Sequence, residues 1–154
     1  MNRRLLALAT LTTATLLATS ANAITYCAFV DTPQIAFGQY DVFSDVPLDA
    51  AGTFSYECVG IDQNDLIVVE LSMGAGSGNG MRAMSNGPHS LAYNVYLDAA
   101  RTIVWGDGSN GTSAYGPVKP NPGTNTVWIY GRIFARQNVT VGTYSDTLTV
   151  TIVY

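Results

Sequence analysis

The sequence has 154 residues with seven basic and eleven acidic side chains, a formal net charge of −4, and only 12% of its residues charged. An acidic chain this poor in charge is badly suited to nucleic acid or anionic lipid, so neither is expected as a partner. Its abundance of Thr, Ser, Asn and Gly suits an exported β-protein better than a cytosolic enzyme.

Residues 1–23 read as a secretory signal peptide. Arg3 and Arg4 form a basic start, residues 5–17 are apolar apart from four threonines, and the Ala-Asn-Ala of residues 21–23 meets the small-residue cleavage rule. The apolar run is too short to span a bilayer and no later run approaches that length, so no membrane insertion is expected. Cleavage after Ala23 leaves residues 24–154, enough for one domain with a real core. It also removes two arginines, so five basic residues face eleven acidic ones, a net charge of −6. Cys27 and Cys58 are the two cysteines, and in an exported chain they are expected to form one disulfide. Zinc is not expected: there is one histidine and the spacing fits no zinc pattern.

The remainder alternates with period two rather than 3.6. Segment 34–37 is a short apolar stretch ended by Gly38. Segment 53–59 sets Phe54, Tyr56 and Cys58 against Thr53, Ser55 and Glu57. Segment 66–73 groups Ile67, Val69, Leu71 and Met73; segment 91–97 groups Leu91, Tyr93, Val95 and Leu97. A short piece at 103–105 precedes a Gly-Asp-Gly turn. Segment 126–136 sets Val127, Ile129, Ile133 and Ala135 against Trp128, Tyr130, Arg132, Phe134 and Arg136. Segment 143–154 places Leu148, Val150, Ile152 and Tyr154 on one face. Glycine-rich residues 74–80 and the Gly, Pro, Asn and Ser-rich stretch 106–125 read as loops. Six or seven short strands with such connections predict an all-β antiparallel sandwich.

Three blocks carry a resemblance. FGQYDVFSDVPLDAAGTFSYEC (37–58), RAMSNGPHSLAYNVYLDAARTIVWGDGS (82–109) and IYGRIFARQNVTVGTYSDTLTVTIVY (129–154) resemble, in order, the spore coat protein U domain family, which includes subunits of archaic, Csu-type chaperone–usher pili. The resemblance spans almost all of residues 24–154. It implies an immunoglobulin-like sandwich lacking its last strand. It further implies a periplasmic chaperone that lends a strand, an outer-membrane usher, and neighbouring pilus subunits as partners. Localisation would be the periplasm in transit, then the cell surface, with a role in adhesion or biofilm.

Taken alone, residues 143–154 suit the ordinary final strand of a complete sandwich; with the resemblance, an open groove is expected instead, for a physical reason. An alternating C-terminal segment with nothing to follow it leaves a sheet edge open over apolar side chains, an aggregation hazard that an inserted strand removes. Such a donor needs about nine or ten residues. Filling four apolar pockets would stabilise by roughly 6–12 kcal/mol before ordering costs. Leu148, Val150, Ile152 and Tyr154 are expected to form the strand that meets it. A shaft subunit would carry its own donor segment between leader and first cysteine. Here Ile24, Thr25 and Tyr26 fill that space, so the expected role is a strand acceptor that does not donate, at a fibre tip or outside a fibre. The alternative is a stand-alone coat or carbohydrate-binding sandwich, complete in itself, using Trp128 or the 106–125 loop.

No cofactor, metal or catalytic function is expected. His89 lies in a turn without a nucleophile at useful spacing. Asp41, Asp45 and Asp49 recur every four residues but lack an EF-hand pattern and read as solvated acids. The 74–80 loop lacks the Lys-Ser/Thr of a phosphate loop. Asp98, Arg101 and Asp107 are expected to form an ion pair within a turn, and Arg82 and Arg132 to pair with nearby acids, all structurally. Trp105, Trp128 and Tyr130 are expected in the core or on a sheet face.

Overall fold

A computed structural model describes residues 25–31, 33–61, 65–74 and 80–154. The predicted leader lies outside these residues, as does most of the glycine-rich 74–80 loop. Eight strands form: β1 (Tyr26–Phe29), β2 (Leu48–Val59), β3 (Ile67–Leu71), β4 (Arg82–Asn86), β5 (His89–Tyr96), β6 (Tyr115–Val118), β7 (Thr124–Ile133) and β8 (Val150–Val153). No helix occurs among the described residues. One sheet has the order β1-β2-β7-β5-β4 and the other β6-β3-β8, with every strand pair antiparallel. This is the expected immunoglobulin-like sandwich.

Period-two alternation decides what lies between the sheets. Phe54 and Tyr56 of β2, Val127, Ile129 and Ile133 of β7, and Leu91, Tyr93 and Val95 of β5 point inward from the five-stranded sheet. Ile67, Val69 and Leu71 of β3 meet them from the other side, with Trp105 between. Trp105 stacks on Phe54 at 5.0 Å and donates its indole N–H to the Val69 carbonyl at 2.9 Å. The disulfide joins Cys27 to Cys58, which are cross-strand partners of β1 and β2.

Several elements differ from expectation. β2 begins at Leu48 rather than 53, because Leu48 to Gly52 continue the ladder with β7 despite weak β propensity. β1, β4 and β6 appear where no strand is expected. β4 lacks β-branched residues and β6 contains Pro117, which an edge strand tolerates. Residues 103–105 form isolated bridges rather than a strand. The final segment divides: Ser145 bridges to Ser85 at the edge of the five-stranded sheet, and the chain then crosses to pair β8 with β3.

Candidate functional site: an open strand edge beside an apolar cleft

Each sheet edge can be judged by what protects it. β1 is four residues long. β4 is covered by Ser145, whose N–H and carbonyl exchange hydrogen bonds with Ser85 at 3.2 and 2.8 Å. β6 carries Pro117. β8 is as short as β1, four residues, but among the described residues no segment covers its free edge and it carries no proline. Among the described residues it pairs only with β3, through Val153↔Val68, Ile152↔Val69, Thr151↔Glu70 and Val150↔Leu71, and its sequence Val-Thr-Ile-Val holds no charge and no proline.

Beside that edge runs an apolar cleft. One section of about 380 Å³ is lined by Leu148 and Val150 on one wall, Ile35 and Phe37 on the other, and Trp105, Ile129 and Val95 on the floor. It adjoins a second section of about 480 Å³, which shares Ile35, Phe37, Met84 and Tyr144 and extends past Leu91, Ile133 and Val139. The far wall is residues 33–37. Their side chains alternate half-buried and exposed like those of a strand, yet they join no β-ladder. Two glycines let this segment lie directly on the inner face of the five-stranded sheet. A Cβ at Gly52 would overlap the Gln34 carbonyl oxygen, and one at Gly131 would lie 2.5 Å from the Phe37 ring. Phe37 in turn meets Tyr93 edge-on at 5.9 Å.

A polar cluster fastens one end. Arg82 is fully buried, and its guanidinium donates to the carbonyls of Ser72 (2.8 and 3.0 Å) and Trp105 (2.7 Å) and to Asn94 Oδ1 (3.2 Å). β4 is thereby tied to the β3 end that pairs with β8. Burial lowers the Arg82 pKa, opposed by the nearby Tyr93 and Asp146. Tyr93 donates its hydroxyl to Asp146 at 2.9 Å, and burial, reinforced by that carboxylate, raises the Tyr93 pKa.

The residues expected to meet a donor strand lie as follows. Val150 and Ile152 stand in β8, half-buried against the core. Leu148 precedes the strand and lines the cleft with Val150. Tyr154 follows β8 and is 57% exposed. Sequence reasoning missed residues 33–37 as a wall, and with them Gly52 and Gly131. The signal was the pair of glycines inside otherwise regular strands, which marks a close backbone approach.

The other candidates have structural partners. Arg132 forks onto Asp49 at 2.8 and 2.9 Å, holding the Asp49 carboxyl below its usual range. Arg101 also reaches Asp49, at 3.3 Å, rather than pairing with Asp98 or Asp107 as expected. Asp98 instead accepts from the Thr102 and Ile103 backbone, and Asp107 from Ser109, because each lies within reach of its own turn. Arg82 faces carbonyls rather than the expected carboxylate partner. Asp45 pairs with Arg136, and Asp41 accepts from the Phe43 N–H. His89 is exposed and opposite Asn86, across the Gly87-Pro88 turn of the β4–β5 hairpin.

The sequence model of the Spore Coat Protein U domain matches residues 12–151. The chain belongs to that family. A relative within reach of the family, Protein U of Myxococcus xanthus, is 35% identical over 132 residues, covering 77% of this chain and 70% of that protein. Solved structures share the fold. One is from the CsuC–CsuE complex, a chaperone–tip adhesion subunit pre-assembly complex of the archaic chaperone–usher Csu pili of Acinetobacter baumannii (TM-score 0.59, 21% identity). The likeness covers 85% of this chain and 40% of that one, so the family domain here spans two fifths of its length. The rod subunit PapA of the P pilus is 20% identical, with a TM-score of 0.50 over 83% of this chain and 98% of that one. A chaperone–usher pilus structure concerned with rod uncoiling matches 93% of this chain and 94% of its own at 16% identity, with a TM-score of 0.51.

Proposed function

We infer that this protein is a structural, non-enzymatic subunit of the chaperone–usher type, completed by a β-strand from another chain. The observation that carries the reading is the pairing of two unsatisfied walls. The uncharged edge of β8 faces the unladdered extended segment 33–37 across an apolar cleft. A single strand laid between them would hydrogen-bond to β8 and send alternate side chains onto Trp105, Ile129, Val95 and Leu91. Leu148, Val150 and Ile152 would line its path, with Tyr154 at the exit. A periplasmic chaperone would supply that strand first, and a neighbouring subunit would replace it at an outer-membrane usher. The finished protein would stand on the cell surface in adhesion or biofilm. Family membership and the pilus-subunit fold support the same reading.

The acceptor-only role is part of the proposal. With cleavage after Ala23, three residues precede Cys27, too few to complement a neighbour. N-terminal sequencing of the exported protein checks the cleavage point.

The main test is complementation. Exported alone, the chain is expected to give little soluble monomer. Fused at its C-terminus through a short turn to an alternating apolar strand of about ten residues, it is expected to become soluble and to unfold cooperatively. A stable monomer with cooperative calorimetry and no added strand would overturn the reading in favour of a self-sufficient coat domain.

A further inference from the structure

The chain has two tryptophans with opposite environments: Trp105 is 1% exposed, whereas Trp128 is 61% exposed. Trp128 sits on the outer face of the five-stranded sheet, away from the cleft. Along β7 the outward positions run Thr124, Thr126, Trp128, Tyr130 and Arg132, opposite Glu57, Ser55, Thr53, Ala51 and Asp49 of β2. One end of this column is closed. Arg132 is forked to Asp49, and Arg101 lies over the Tyr130 ring at 5.8 Å while donating to the Gly131 carbonyl at 3.1 Å. Toward the other end the surface is hydroxylated. Thr53 stands opposite Trp128, Thr126 lies one outward step along the strand, and its hydroxyl is 3.1 Å from that of Ser55. The indole is therefore exposed on the outer face of the sheet, with the half-buried Thr53 and the exposed Thr126 at its margin and Ser55 buried beneath Thr126.

We propose that Trp128, with Thr53 and Thr126 at its margin, binds a neutral oligosaccharide. A pyranose presents a face of C–H groups and a rim of hydroxyls. The C–H face packs on an indole, and the rim needs partners that both donate and accept, as threonine hydroxyls do. The charge pattern selects a neutral sugar. Arg101 and Arg132 are held by Asp49, Tyr130 and the Gly131 carbonyl, and Glu57 is the exposed charge further along the face. Among the described residues of this face, no unpaired cation stands ready for a uronate or sulfate. A protein partner is a poorer fit, because one indole among threonines is far from the apolar core that a stable interface buries. The site is independent of the cleft and stands whether or not a strand is donated there.

Because Trp105 is buried, acrylamide quenching of the strand-fused protein reports chiefly on Trp128. Maltopentaose and chitopentaose serve as neutral probes and oligogalacturonate as the anionic one. At least one neutral probe is expected to shift the emission to the blue and to protect it from acrylamide, with oligogalacturonate far weaker. Trp128→Ala is expected to abolish both effects while leaving the Trp105 emission and the far-ultraviolet circular dichroism intact. Thr53→Ala is expected to weaken binding by up to about tenfold, the loss of one hydrogen bond. Protection by neither neutral probe, protection that survives Trp128→Ala, or sugar-independent protection that grows with protein concentration would each overturn the proposal. The last would assign the face to contact between copies.

Discussion

Gly52 and Gly131 hold ordinary strand positions, yet each is where residues 33–37 press against the sheet. The two should respond differently to alanine. At Gly131 the obstacle is the Phe37 ring, which can swing away at the expense of its contact with Tyr93, so Gly131→Ala should cost about 1–2 kcal/mol. At Gly52 the obstacle is a backbone carbonyl that cannot rotate aside, so Gly52→Ala should cost more, about 2–3 kcal/mol, and should also move the wall of the cleft. Urea denaturation of the strand-fused protein measures both. Ionisation belongs to this scale too. Asp49 has a lowered pKa in the fold, chiefly from its hydrogen bond to Arg132. Its contribution is present above the ordinary carboxylate pKa and fades as pH falls through the lowered value. Asp49→Asn should therefore reduce stability at neutral pH and flatten the loss as pH falls below the ordinary carboxylate value of about 4. Tyr56 is raised by burial to about 12, and Tyr93 is raised as well. Their neutral forms stabilise the fold below about pH 10, the ordinary tyrosine value, and that stability is lost as pH climbs beyond it. In absorbance titrations these two phenols should ionise last, together with alkaline unfolding.

At the scale of the element, β8 carries the functional argument. Its neighbours alternate in role: Val150 and Ile152 pack against the core, while Thr151 and Val153 are exposed. Val150→Lys would place an ammonium in the cleft wall opposite Leu71, whereas Thr151→Lys would place it in water. The first should lower the soluble yield of the strand-fused protein by at least about tenfold, since an unpaired buried charge outweighs most of the strand's gain. The second should change the yield little. Equal loss from both substitutions would mean that β8 does not present its inner face to an added strand. The same logic explains why the other edges need no donor. β4 is covered and β6 carries a proline; β1 and β8 are equally short, and of these two only β8 borders the apolar cleft, through Val150.

For the molecule as a whole, two covalent or buried ties hold the sheets while the cleft remains open. The Cys27–Cys58 bond fastens β1 to β2, and the fully buried Arg82 ties β4 to the end of β3. The disulfide closes a sequence separation of 31 residues, so replacing both cysteines with serine should cost about 3–4 kcal/mol in the chain-entropy account. The loss should appear as a shifted denaturation midpoint with an unchanged slope. By itself the sequence determined the sandwich, the pairing of the cysteines and the inward faces of β2, β3, β5 and β7. Alternation and composition are local properties that survive without knowledge of partners. Local signals failed at β4 and β6, where Arg82 and Pro117 look foreign to a strand and only their neighbours make them acceptable. They failed also at Arg101, whose partner Asp49 lies 52 positions away in sequence and arrives through the β2–β7 ladder. Tertiary structure alone decided that residues 33–37 form the second wall of the cleft and that Trp128 faces water while Trp105 does not. Each of those outcomes depends on which surface another part of the chain happens to cover, and coverage is not written in the spacing of any one segment.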